Sequence, residues 1–228
     1  MSLLEKIHSR GYWEVIIRPS TFIEARIPDI NSLQPILQKC SYRRGGWEFP
    51  FIDQSLHTHI DIDWIGQEFE FGHFLSAWRF YQSGLFVDTE GMLVDWQEQA
   101  NWLPPTTIWE PGKWLGVEDS IRIFTSIFEF AARLSLTEAG DEKMVVNTEV
   151  YNIKGRKLFT ENPRMAIRYQ KYTASLDKYP IPKEMVRSEL IANSSEYAID
   201  AANELFKRFG WNTTKEILKG FQEEIMKR

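Results

Sequence analysis

Residues 67–83 read Gln67-Glu-Phe-Glu-Phe-Gly-His-Phe-Leu-Ser-Ala-Trp-Arg-Phe-Tyr-Gln-Ser83, and the fold turns on whether they form strand or helix. As a strand, Phe69, Phe71 and His73 face one way and Glu68, Glu70 and Gly72 the other. As a helix, Phe71, Phe74, Leu75, Trp78 and Tyr81 fall on one apolar stripe, with Glu70, His73, Ser76 and Arg79 off it. Gly84 stands where a helix-ending glycine belongs, and Glu68 and Glu70 would lie near the positive end of the dipole. The stripe runs longer than the alternation, so the spacing predicts a helix.

The stretch just before it, Ser55-Leu-His-Thr-His-Ile-Asp-Ile-Asp-Trp64, alternates strictly and predicts a strand over 56–63. His57, His59, Asp61 and Asp63 would share one face, and Thr58, Ile60 and Ile62 the other. Imidazoles and carboxylates at period two are the ligand types of a divalent metal. They are equally the wet side of a half-buried strand. Alternate residues stand roughly 6.5–7 Å apart, so two neighbours can share an ion but four cannot. If 67–73 were the paired strand, an odd register sum would add Glu68 and Glu70 to that face. A cation, either a metal or Arg79, would then relieve the repulsion. No His-Glu-x-x-His, cysteine pair or calcium-loop spacing supports a metal site, so the solvated face is preferred and no cofactor is expected.

Working outward, Trp13, Val15 and Ile17 alternate with polar neighbours in a strand over 12–18. Asp29 to Asn31 offers caps for a helix ending near Cys40. Leu85-Phe86-Val87 reads as a short strand and Asp88 to Gly91 as a turn, with Met92 to Val94 returning as hairpin partner. Residues 95–116, with four Trp and three Pro, read as an irregular, aromatic-rich surface loop, and the seven Trp between Trp47 and Trp114 read as an aromatic-rich core with its rim, or else as a stacking platform for a base, a sugar or a cation. Val117, Ile121, Phe124, Phe128, Ala131 and Leu134 form the clearest stripe, widened by Ile123, Ile127 and Phe130 into a buried central helix over 117–139. Met144 to Tyr151 and Arg156 to Thr160 read as a hairpin about Asn152 to Gly155. Three prolines make 161–182 mostly loop, with a helix beginning in 182–190 and two more apolar stripes beyond it. The sum is α+β: a mixed or antiparallel sheet of five to six short strands on a buried central helix, with C-terminal helices. Residues 1–160 form the core domain, and 161–228 a linker and helical segment packed on the same domain.

Charge divides unevenly along the 228 residues. Residues 1–150 hold 12 Lys and Arg against 22 Asp and Glu, and 151–228 hold 15 against 10, together net −5. The acidic part argues against a nucleic-acid surface there. The basic part carries Lys154, Arg156, Lys157, Arg164, Arg168 and Lys171 with Phe159, Tyr169 and Tyr172 interleaved, a pattern that suits phosphates and bases. Arg156, Arg164, Arg168 and Lys171 are its candidate ligand-binding residues, although no nucleic-acid-binding signature accompanies them. The lone cysteine, Cys40, excludes an internal disulfide and fits a reducing cytoplasm; Arg43 and Arg44 nearby give it a minor claim to reactivity. No window approaches the roughly 20 apolar residues of a membrane span.

Arg44-Gly-Gly-Trp-Glu-Phe-Pro50, Asp63-Trp-Ile-Gly66, Ala77-Trp-Arg-Phe-Tyr-Gln-Ser-Gly84 and Phe128-Glu-Phe-Ala-Ala-Arg-Leu134 resemble segments of hypothetical bacterial proteins of unassigned activity, over about two thirds of the chain. The resemblance implies a bacterial protein and carries no functional residue across. With no nucleophile elbow, phosphate loop or dinucleotide fingerprint, the expected function is a non-enzymatic ligand-binding, partner-binding or regulatory domain. Its partner is a small ligand, another protein or a second copy of the chain, with nucleic acid not favoured. The alternatives are a metal-dependent hydrolase built on His57 to Asp63, and nucleotide or nucleic-acid binding through 154–171.

Overall fold

The computed structural model describes residues 1–44, 46–97, 109–160 and 171–227. Its centre is a seven-stranded antiparallel sheet in the order β11-β9-β1-β7-β6-β5-β4. The strands are β1 (Tyr12–Pro19), β4 (His59–Ile60), β5 (Trp64–Phe71), β6 (Phe74–Tyr81), β7 (Phe86–Gly91), β9 (Lys143–Tyr151) and β11 (Lys178–Val186). Two small ladders stand apart: β2 (Tyr42–Arg44) with β3 (Trp47–Phe49), and β8 (Trp114–Gly116) parallel to β10 (Lys157–Phe159). The helices are α1 (Leu3–His8), α2 (Leu33–Cys40), the single turn α3 (Leu93–Trp96), α4 (Val117–Ser135), α5 (Arg187–Arg208) and α6 (Lys215–Lys227). The fold is α+β, as expected, with one or two more strands in the main sheet than the sequence suggests.

One face of the sheet is the floor of the core. Trp13, Val15 and Ile17 point into it from β1, flanked in register by Val150, Thr148 and Val146 on β9 and by Glu90, Asp88 and Phe86 on β7. Helix α4 lies over this face with most of its circumference buried, the Trp13 and Phe124 rings meeting edge-on at 5.5 Å. Helices α5 and α6 pack on α4, so the band that widens its stripe beyond one face is covered by other helices rather than by the sheet. The other face of the sheet is only partly covered. Helix α1 lies against β6 and β7 there, with Lys6 paired to Glu70 at 2.5 Å and Ile7 fully buried.

Residues 67–83 are not a helix. They belong to the β5–β6 hairpin, closed by the two-residue loop Gly72-His73, with Phe71 directly opposite Phe74. Gly72 sits at φ +58°, the positive φ that the first position of such a loop demands. The alternation was blurred because β6 is buried from both sides: Ser76, Trp78 and Phe80 face the core, while Leu75 is fully buried on the opposite face where α1 packs. Five further expectations are corrected. Residues 88–91 are not a turn but the last four residues of β7, and Leu93 begins a helical turn rather than a hairpin strand. The strand over 56–63 shrinks to His59–Ile60. Segment β10 does not return on β9, because Arg156 at its entry plunges inward and the chain pairs with β8 instead. Residues 182–186 continue β11 before α5 starts at Arg187.

Candidate functional site

The partly covered face carries a cleft of about 600 Å³ over β5, β6 and β7. Its floor is made of small side chains in register: Gly66, Ala77, Val87 and Thr89. Its walls are large: Trp64, Arg79 and Tyr81 on one side, Leu4 of α1 on the other, with His57, His59 and Glu68 at the rim. The concavity follows from this division, since tall residues on neighbouring rows enclose a patch with little above the backbone.

Gly66 is the local key. It lies opposite both Arg79 on β6 and His59 on β4. A Cβ at this position would stand 2.6 Å from the Trp78 carbonyl oxygen and 2.9 Å from the Trp64 ring. Its absence lets the indole lie down along the sheet. The Arg79 guanidinium carbon then rests 4.5 Å from the Trp64 ring centre, the His59 ring 5.0 Å from it and the Tyr81 ring 6.3 Å. A cation over an indole gains about 0.5–1 kcal/mol at an exposed site. Among arginines whose side chains are described, Arg79 alone makes no hydrogen bond or ion pair to protein, and it is exposed.

The rim is stitched down from the core side. The buried Gln67 amide donates to the Asp53 carbonyl at 2.9 Å and to Thr58 Oγ1 at 3.1 Å, and its oxygen accepts from Asp53 N at 3.1 Å. Trp78 Nε1 donates to the Phe51 carbonyl at 2.8 Å. These bonds hold the loop that carries His57.

The predicted site residues separate. His57 and His59 both line the cleft. Asp61 and Asp63 do not join them. They sit in the exposed turn between β4 and β5, where Asp61 N donates to the Trp64 carbonyl at 2.9 Å and Asp61 Oδ1 accepts from Ile62 N at 2.8 Å. The four-residue face on which a metal-dependent hydrolase would rest is therefore not formed, because the strand that would align it is two residues long. Among the described residues no group of three or more His, Cys, Asp or Glu side chains is placed to hold a metal. The register sum is odd, so Glu68 shares the face of His59, and the cation beside them is Arg79.

Arg156 is not a surface ligand-binding residue. It is 2% exposed and forms a bidentate pair with the fully buried Asp95, at 2.7 Å to Oδ1 and 2.5 Å to Oδ2. It also donates to the Trp114 carbonyl at 3.0 Å and the Asn152 carbonyl at 2.7 Å, while Gly11 N and Gly112 N supply two more donors to Asp95. Both charges are paired and hydrogen-bonded, as burial requires. Lys171 is exposed, its ammonium 5.0 Å from the Tyr172 ring. Arg164 and Arg168 lie outside the described residues, as does the middle of the aromatic-rich stretch, 98–108. Cys40 is buried and burial pushes its thiol up to about 11, which removes its claim to reactivity.

Two further features were not anticipated. At the far end of the same face Tyr12 stacks on Tyr151 at 4.5 Å, and Tyr151, Glu149 and Lys178 hydrogen-bond to one another. That network is closed: the Lys178 and Tyr151 hydrogen bonds hold Glu149 below the usual carboxylate range, and burial helps push Tyr12 up to about 12. On the core face, Asp88 and Glu90 stand two apart on β7. Burial pushes them up to about 7 and about 8, with the charge of Asp88 adding to the shift of Glu90. Ser76 donates to Asp88 Oδ1 at 3.0 Å, and the Oδ2 atom has no donor among the described residues. No protein-family model, curated protein or solved structure matches the chain.

Proposed function

We propose that the protein is a non-catalytic binding domain whose ligand enters the cleft over Gly66, Ala77, Val87 and Thr89. The observation that carries this reading is a preformed concave site walled by Trp64, Arg79 and Tyr81, in which the Arg79 guanidinium lies over the Trp64 ring and has no hydrogen-bond or ion-pair partner among the described residues. Its volume falls within the roughly 300–1,000 Å³ of small-molecule sites. A single buried cysteine and the resemblance to bacterial segments favour a bacterial cytoplasm; no helix among the described residues is long and apolar enough to cross a membrane.

The test is a heteronuclear NMR screen of the full chain against small aromatic and aliphatic compounds of differing charge. Binding is expected to shift the backbone amides of Gly66, Ala77, Arg79 and Thr89 as a group. Shifts confined to other regions, or chemical conversion of a compound bound there, would overturn the reading.

A further inference from the structure

Resting on that reading, we infer that the cleft selects a ligand bearing one compact oxyanion, a carboxylate or a phosphate, attached to a flat apolar ring, with Arg79 as the residue that takes the anion. The argument begins with unsatisfied donors. A guanidinium carries five N–H groups in a fixed fork, and carboxylates and phosphates match that fork with two parallel hydrogen bonds. Arg10, Arg18, Arg26, Arg43, Arg122, Arg133, Arg156 and Arg208 each spend donors on a carbonyl, carboxylate or hydroxyl of the protein, and Arg187 is ion-paired to Glu142 at 3.6 Å. Arg79 spends none among the described residues, although Glu68 lies two residue pairs along the same hairpin and lines the same cleft.

Pre-organisation comes next. A free arginine in solvent loses rotamer freedom when it binds, and that loss opposes affinity. Here the Trp64 indole covers one face of the guanidinium, at 4.5 Å, and Gly66 leaves room for the pair to lie against the sheet. The other face and the N–H edge are left for a ligand. His57 and His59 line the same cleft and bring further nitrogen donors to it. The rest of the cleft asks for a ring: Leu4, Ala77, Val87 and Tyr81 give it apolar walls and floor. Glu68 sets the limit, since a second negative group on the ligand would meet it at the rim.

The experiment titrates the full chain with benzoate, phenyl phosphate, benzyl alcohol, benzylamine and inorganic phosphate, following the Gly66, Ala77 and Thr89 amides. Arg79→Gln, Arg79→Lys and Lys171→Gln are run beside wild type, with thermal melts to confirm folding. Benzoate or phenyl phosphate should bind at least about tenfold tighter than benzyl alcohol. Arg79→Gln should remove that margin, Arg79→Lys should lose part of it, and Lys171→Gln, an exposed cation elsewhere, should keep it. Tighter binding of phenyl phosphate identifies a phosphate site, and tighter binding of benzoate a carboxylate site. If benzyl alcohol or benzylamine binds as well as the anions, or Arg79→Gln keeps the margin, the inference fails and the binding function stands. Inorganic phosphate binding as well as phenyl phosphate would overturn the ring requirement. If no compound shifts the cleft amides, the inference and the proposed function fail together.

Discussion

Arg156 and Arg79 are the same side chain put to opposite uses. Arg156 is sealed in the interior, and its guanidinium meets Asp95, Trp114 and Asn152. Arg79 stands at an open cleft, held by a ring and bonded to nothing charged among the described residues. The first ties β10, α3 and the β1 entry into one body, since Gly11, Gly112 and Arg156 all converge on Asp95. The second stabilises little and leaves its donors to a ligand. What separates a structural arginine from a binding one is thus the fate of its donors, and neither charge nor sequence neighbourhood reports that. The basic run of 154–171 pointed to Arg156, whereas the unpaired guanidinium lies among the acidic first 150 residues.

The comparison breaks most visibly at the buried pair. Arg156→Met strands the Asp95 carboxylate in the interior and is expected to cost about 3–5 kcal/mol, read as a fall in the urea midpoint. A loss below 1 kcal/mol would mean that the hub is not structural. Gly66→Val acts on the other side of the comparison. Its side chain meets backbone at 2.6 Å and the Trp64 ring at 2.9 Å, so a cost of about 1–3 kcal/mol is expected, along with loss of ligand binding at the cleft. Retained binding with an undisturbed Trp64 would show that the glycine does not build the site.

The acids beneath the sheet give a pH dependence. Asp88 and Glu90 have folded values, about 7 and about 8, above the ordinary carboxylate range. The native state therefore holds more protons than the unfolded chain between about pH 4 and pH 8. Their contribution is fully present below the ordinary carboxylate value and is lost as pH rises through about 7 and 8. Asp88→Asn, which keeps an acceptor for Ser76, should flatten this fall, with a difference from wild type that changes by roughly 1–3 kcal/mol between pH 5 and pH 8. Parallel stability curves for the two proteins over that range would contradict the assignment. The smallest effect on stability belongs to Arg79→Met, which keeps an apolar stem beside Trp64. Its unfolding free energy should stay within about 1 kcal/mol of wild type. A cost like that of Arg156→Met would make Arg79 structural after all.

Where burial is one-sided, the sequence declared it. The alternation of β1 survives in the structure because that strand has a clear inside and outside, and the α4 stripe survives because its wide apolar band is covered by the sheet and by α5 and α6. The hairpin at 64–81 did not declare itself, because Leu75 is buried on one face of β6 and Trp78 on the other, which fills in the polar half of the pattern. β7 was masked by chemistry: Asp88 and Gly91 are turn-forming residues, and Asp88 and Glu90 are charged types seldom found in a buried strand. β11 was masked by Pro180 and Pro182, which an edge strand tolerates because their missing N–H groups face away from the ladder. Of the candidate site, His57 and His59 were legible from their spacing. Trp64, Arg79 and Tyr81 were not, because only the register across Gly66 brings them to one wall. A register is a property of paired strands, and no single segment carries it.

The most direct test of the contrast is arginine-selective modification of the native protein. Phenylglyoxal treatment followed by peptide mapping should label Arg79 rapidly and leave Arg156 unlabelled until the chain is denatured. Comparable labelling of the two in the native state, or an Arg79 as protected as Arg156, would contradict the account.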